Sequence, residues 1–144
     1  MTDTRLVQTD QEIQATYELM AQLHERVRTL DRADYVLLVR QQQKEVGYHL
    51  VYQLEDQEPI CVAGFRLCRS IGWGKYLYVD DLVTDKERRS TGAGKTMFDW
   101  LCEWGRAEGC EEIRLDCRTD RLGAHRFYFR QRMDIRAFHF VLKL

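Results

Sequence analysis

Two stretches of the chain carry residue types and spacings that could do chemistry. In "YLYVDDLVT" (Tyr76–Thr84), Asp80 and Asp81 interrupt an otherwise apolar run. Neighbouring residues on a strand point to opposite faces, so at least one of the two acids must face the interior or a cleft. A like-charged neighbour and burial both raise a carboxyl pKa, which suits a general base. The plain alternative is that both acids are structural, binding a nearby arginine or capping backbone. A few residues later comes "ERRSTGAGKTMF" (Glu87–Phe98), a glycine-rich loop with three cations, Arg88, Arg89 and Lys95.

The end of that loop, "GAGKT", raises the possibility of a nucleotide P-loop, G-x-x-x-x-G-K-[ST]. Placing Gly94, Lys95 and Thr96 on the last three positions puts Arg89 where the first glycine belongs. A tight phosphate-wrapping turn needs that glycine because a Cβ obstructs the bend. The physics of phosphate binding survives without the P-loop. Gly92 and Gly94 let main chain approach a diphosphate, and residues 90 to 95 open a helix whose first amides lack intrahelical partners. A helix N-terminus carries partial positive charge, and Arg88, Arg89 and Lys95 add formal charge.

Elements must hold these groups in place. Ile13, Tyr17, Met20 and Val27 recur at helical spacing between Asp10 and Val27. His24 shares their face and reads as a core or boundary histidine, since nothing beside it in sequence supports chemistry. "DRADYVLLVRQQQKEVG" contains a strand-length apolar run, Tyr35–Val39. Its polar tail before Gly47 favours a helix with a glycine stop. "YHLVYQLE" alternates, with Tyr48, Leu50, Tyr52 and Leu54 on one face. "DQEP" turns the chain, and "ICVAGFRLC" completes a hairpin. "RSIGWGK" leads into the acid-bearing strand. Met97, Leu101 and Trp104 mark the buried face of the helix that follows the loop. "EIRLDC" reads as a strand, "RLGAHRFYFRQRM" as a helix, and the alternation of Phe138, Phe140 and Leu142 as a closing strand. The expected order is α-α-β-β-β-α-β-α-β. It implies a mixed sheet, antiparallel at its start and parallel where a helix connects strands.

The bulk properties exclude several classes. A chain of 144 residues suits one domain, residues 1–144, with one core. Its formal charge of −1 gives no basic field for nucleic acid. No apolar run is long enough for a membrane span, and the polar, acidic start does not read as a secretory signal. Five cysteines without C-x-x-C spacing point to reduced thiols in a cytoplasmic protein. No Cys/His cluster has metal-ligand spacing, so no metal is expected.

The segment Arg89-Ser90-Thr91-Gly92-Ala93-Gly94 matches [Q/R]-x-x-G-x-[G/A] between a strand and a helix. It resembles the pyrophosphate signature of the GNAT superfamily of acyl-CoA-dependent N-acyltransferases. "YLYVDDLVTDKERRSTGAGKTMFDWL" resembles that family's fourth strand, loop and third helix. Ala124, Phe127 and Tyr128 match its A-x-x-F-Y segment. The likeness covers about residues 48 to 144. Arg132-Met133 replaces the usual Gly-Phe, and Arg121 stands where many members carry Asn. The resemblance implies a single-domain GNAT-like α/β fold, a mixed central sheet with splayed parallel strands flanked by helices.

It further implies acetyl-CoA as cosubstrate, held by Arg88, Arg89, Ser90, Thr91, Gly92, Ala93, Gly94, Lys95 and Thr96. The backbone of Leu82, Val83 and Thr84 would pair with the pantetheine arm. Asp80, the first acid of the pair, would act as general base through a bridging water, and a β-bulge there could redirect it. Tyr128 would hand its proton to the departing thiolate. The implied reaction is direct acetyl transfer to a primary amine, with a small-molecule acceptor favoured and a homodimer allowed. Acids at the strand centre suit a cationic, polyamine-like or aminoglycoside-like acceptor. Tyr35, Tyr48, Tyr52 and Trp73 are candidates for its pocket, as are His125 and His139. Cys117 is the cysteine nearest the expected cleft. The alternatives are a protein or peptide N-acetyltransferase and a non-catalytic acyl-CoA-binding regulatory domain.

Overall fold

The computed structural model describes residues 2–144. Residues up to Arg114 form one compact unit, and Leu115–Leu144 form a second. The chain begins with β1 (Thr2–Leu6), then α1 (Asp10–Ala15), α2 (Tyr17–Leu23), α3 (Glu25–Arg28) and α4 (Arg32–Val46). β2 (His49–Glu55), β3 (Glu58–Ser70) and β4 (Gly74–Thr84) follow. α5 (Ala93–Ala107), β5 (Glu112–Leu115) and α6 (Leu122–Arg130) complete the order. The five strands make one mixed sheet in the order β1-β2-β3-β4-β5. β1 to β4 pair antiparallel with their neighbours, and β5 is reached from β4 through α5, the crossover that a parallel neighbour requires.

The sheet is covered on both faces. Leu50, Tyr52 and Leu54 join Val62 and Val83 in one core with Ile13, Leu19, Met20, Val27, Tyr35 and Val39 from the helices. This is the face that the alternation in β2 marks. The opposite face receives α5, whose Met97 and Leu101 are fully buried. Burying side chains of this size is worth about 1.5–3 kcal/mol each. Phe65 of β3 stands edge-on to Trp100 and Trp104 of α5, with ring centroids 6.1 Å apart in both pairs. Because both faces are covered, β2 is buried almost throughout, and strict alternation is lost.

The helical layer is tied to the sheet by polar contacts as well. α4 starts where the Asp31 side chain accepts from the Asp34 amide at 2.8 Å, and it stops at Gly47, which is left-handed with φ of 67°. That turn delivers Tyr48 to the start of β2. Tyr35 is held from α4 by Thr16: the Thr16 hydroxyl donates to the Ile13 carbonyl at 2.7 Å, so at 2.7 Å the Tyr35 hydroxyl is the donor to Thr16. Gln22 of α2 accepts from the Lys86 amide at 3.1 Å, fastening the end of β4 to the same layer.

Three regions differ from the sequence expectation. The stretch from Asp10 to Val27, expected as one helix, is broken at Thr16 and His24 into α1, α2 and α3. "TDTRL" forms an edge strand, β1, although its composition carries no strand pattern; pairing with β2 supplies what its side chains do not. The alternating stretch from Ile135 to Leu144 forms no strand, and Phe138 and Phe140 keep 84% and 91% of their surface. Alternation becomes a strand only when a neighbouring strand accepts its amides.

Candidate active site

The acid pair sits on a β-bulge. Along β3 and β4, Phe65 pairs with Val79 and Gly64 pairs with Asp81, so Asp80 is the extra residue on β4. A bulge shifts the side-chain phase of a strand by one position. Before it, Leu77 packs on Gly105 of α5. After it, Val83 belongs to the core with the α1–α4 helices. Unbulged, the 77, 79, 81 series would send Asp81 toward α5. The bulge instead turns Asp81 toward the helical layer, and Asp80 and Asp81 line the same concavity.

That concavity has a volume of about 420 Å³. Its walls are mostly apolar, from Met20, Val27, Leu30, Leu38 and Val39, with Tyr35 and Tyr48 beside the two acids. His24 and Arg26 contribute the remaining charge-bearing groups along with the acids.

The two carboxylates have different partners. Asp80 accepts two bonds from the Arg66 guanidinium, from Nε at 2.8 Å and from Nη2 at 2.9 Å. Two-point pairing of this kind occupies both carboxylate oxygens and fixes the side chain in place. The structural reading of the acids, binding a nearby arginine, therefore describes one feature of Asp80. Asp81 is bound at both oxygens as well, by other groups. The Tyr48 hydroxyl donates to Oδ2 at 2.7 Å, and His24 Nε2 lies 2.5 Å from Oδ1. The Asp81 side chain keeps 12% of its surface and that of His24 keeps 41%. Burial pushes the Tyr48 phenol well above its ordinary value, and the Asp81 charge pushes it further. Burial likewise carries Tyr35 up to about 12. Both phenols therefore stay protonated and act as donors.

Gly64 makes the Tyr48–Asp81 contact possible. A Cβ at that position would lie 1.8 Å from the Tyr48 hydroxyl and 2.5 Å from Asp81 Oδ2. The missing side chain is the space through which Tyr48 reaches across β3 to the bulge.

The loop after β4 has the form of an anion site. Ser90 and Gly92 are left-handed, with φ of 65° and 91°. Gly92 is the N-cap of α5, and no side chain caps the helix, which leaves its first amides open. Thr91 Oγ1 donates to the Arg88 carbonyl at 2.6 Å and closes the turn. Arg88 pairs with Glu55, Lys95 with Asp99 at 2.7 Å, and Arg89 is exposed. Open amides, a helix N-terminus and three cations are the donor set that a diphosphate requires.

Residues 11–133 match the sequence profile of the Acetyltransferase (GNAT) family. The chain belongs to the GNAT family, a family of N-acyltransferases. It is 30% identical over 113 residues to an uncharacterized N-acetyltransferase, YhdJ, of Bacillus subtilis (strain 168), covering 78% of each chain. Its fold is similar to that of a ribosomal-protein-alanine N-acetyltransferase from Brucella melitensis biovar Abortus 2308. That match has a TM-score of 0.83 and 13% identity, over 100% of this chain and 99% of the other. Glucosamine-6-phosphate N-acetyltransferase from Arabidopsis thaliana gives a TM-score of 0.77 and 16% identity, over 99% of this chain and 98% of the other. GNAT enzymes use acetyl-CoA.

Of the residues marked by the sequence, Asp80, Tyr35 and Tyr48 meet at the concavity, while Tyr52 and Trp73 do not line it. Tyr52 accepts from Arg5 at 3.4 Å. Trp73 lies beneath the Arg114 guanidinium, 3.7 Å from the ring centre. Leu82, Val83 and Thr84 pair with Ala63, Val62 and Cys61 of β3. Tyr128 lies on α6 in the second unit, edge-on to Phe127 at 5.4 Å. His125 in the same unit bonds the Arg118 carbonyl at 2.7 Å, and His139 pairs with Asp116 at 3.2 Å. Burial raises the thiol pKa of Cys61, to about 11, and also raises those of Cys102, Cys110 and Cys117, the opposite of nucleophile activation. His24 and Arg66 are site residues that sequence reasoning missed. His24 meets Asp81 across 57 residues of sequence, and its place on the apolar helix face was the available signal.

Gly64→Ala is expected to expel Tyr48 from Asp81 and to cost about 1–3 kcal/mol, the range for overpacking a filled site. Urea denaturation measures it. A variant as stable as the parent would mean that the strand yields without moving Tyr48.

Proposed function

We propose that this GNAT protein is an acetyl-CoA-dependent N-acetyltransferase acting on a primary amine of a small molecule, by direct transfer within a ternary complex. The observation that carries this reading is the concavity of about 420 Å³ with two acids on one side and mostly apolar walls elsewhere. A cationic amine is attracted to the acids, and an apolar body fits the walls. Such walls favour an amine on an apolar carrier over a heavily hydroxylated aminoglycoside.

Acetyl-CoA supplies an acetyl group activated as a thioester. The diphosphate would rest on the amides from Gly92 to Lys95, with Ser90, Thr91 and Thr96 completing the turn and Arg88 and Arg89 adding charge. The backbone of Leu82, Val83 and Thr84 would offer amide and carbonyl groups to the pantetheine arm, as an added strand does. Asp80, fixed by Arg66, would hold the negative potential that draws the ammonium group into the pocket. Tyr128 would give its phenol proton to the departing sulfur. Five free thiols suit the cytoplasm, where cysteines stay reduced.

Two substitutions test the assignments. Gly92 has open space around it and a φ of 91°, so Gly92→Val meets no clash and acts through the backbone. It is expected to weaken CoA binding by at least about tenfold, because a β-branched residue rarely adopts this conformation. Calorimetric titration with CoA, beside a thermal melt, measures it; a folded variant with parental affinity removes the loop from the diphosphate site. Tyr128→Phe is expected to lower kcat by about 10²-fold with CoA affinity kept, within the range for a positioned acid. Unchanged single-turnover acetylation would make Tyr128 a packing residue.

A further inference from the structure

We propose that His24 is the group that takes the proton from the acceptor amine, and that Asp81 and Tyr48 are the residues that position it. The inference rests on the acetyltransferase reading above and names the proton path within it. His24 lines the concavity and sits at the junction of α2 and α3, with extended backbone at φ −123° and ψ 117°. Its Nε2 is 2.5 Å from Asp81 Oδ1. An ionised carboxylate only accepts, so the neutral imidazole must carry its hydrogen on Nε2. Nδ1 then keeps the lone pair, and among the described residues it has no hydrogen-bond partner. Tyr48 occupies the other oxygen of Asp81 at 2.7 Å and prevents the carboxylate from turning away. A base held in one tautomer by a carboxylate, itself held by a third group, is an arrangement suited to proton abstraction.

The surroundings favour His24 over either acid. Asp80 is engaged twice by Arg66, and Asp81 has a donor on each oxygen. The titratable and charged groups that line the concavity with His24 are Asp80 and Asp81 of β4, Arg26 of α3, Tyr35 of α4, and Tyr48. Tyr35 and Tyr48 stay protonated, so the charge facing the imidazole comes from the acids and Arg26.

The step balances as follows. One ammonium proton passes to His24 Nδ1, leaving a neutral amine. Its nitrogen attacks the thioester carbonyl, the C–N bond forms and the C–S bond breaks. The second nitrogen proton is lost as the amide forms and balances the one taken up by the thiolate. His24 then releases its proton to water, one per turnover.

The experiment measures the pH dependence of kcat/KM for acetylation of 2-phenylethylamine, a primary amine on an apolar body. Parent, His24→Gln, His24→Ala and Asp81→Asn are compared, with CoA affinity and thermal melts beside them. A general base must be unprotonated, so parental activity should rise with pH through the range in which histidines titrate. In His24→Gln that limb should vanish, kcat/KM near neutrality should fall about 10²-fold or more, and activity should recover only where the free amine itself accumulates. Asp81→Asn should move the same limb while CoA affinity stays. Added imidazole should restore part of the activity of His24→Ala. A parental profile in folded His24→Gln overturns the proposal. If the parent binds CoA but acetylates neither 2-phenylethylamine nor a broad panel of amines, the acetyltransferase reading falls and takes this proton path with it.

Discussion

The candidate site depends on one extra residue in β4. A regular strand places Asp81 on the side of Leu77 and Val79, against α5. The bulge at Asp80 reverses the phase, so Asp81 and Val83 face the helical layer. The same insertion leaves Asp80 beside it on one wall of one concavity. A bulge carries a cost in lost ladder bonds. Here the two acids gain Arg66, Tyr48 and His24 as partners.

The bulge works only because other elements accommodate it. Gly64, opposite Asp81, leaves room for the Tyr48 hydroxyl. Gly47 ends α4 in a left-handed turn, and Tyr48 therefore arrives at the right place. The break between α2 and α3 puts His24 at a helix end, where its ring can reach the sheet. Below this polar network the core is ordinary: aliphatic side chains from α1, α2 and α4 cover β2, β3 and β4. The second face is closed by α5, which packs its buried side on the sheet and presents its N-terminus immediately after the loop.

Much of this was legible in the residues. The period-2 pattern from Tyr48 to Leu54, the turn at "DQEP" and the helix after the glycine loop all have local causes, and the structure forms each of them. The acid pair announced itself because two charges in an apolar strand need a reason. Its partners did not, since His24, Tyr48 and Arg66 are joined to it by contacts 57, 33 and 14 residues apart in sequence. No local pattern reports such a meeting. The closing segment forms no strand for a related reason: alternation at Phe138, Phe140 and Leu142 describes what a strand looks like, whereas pairing decides whether one forms. β1 is the converse, a polar segment that becomes a strand through β2 alone.

In the proposed reading the acceptor binds in the concavity lined by the acids and His24, and the open amides of α5 hold the cofactor diphosphate. A crystal structure with CoA and 2-phenylethylamine bound tests this most directly. The amine nitrogen is predicted within hydrogen-bonding reach, about 3 Å, of His24 or the acid pair, with the diphosphate against the amides from Gly92 to Lys95. An amine bound outside the concavity, or a diphosphate held away from the α5 N-terminus, would contradict it.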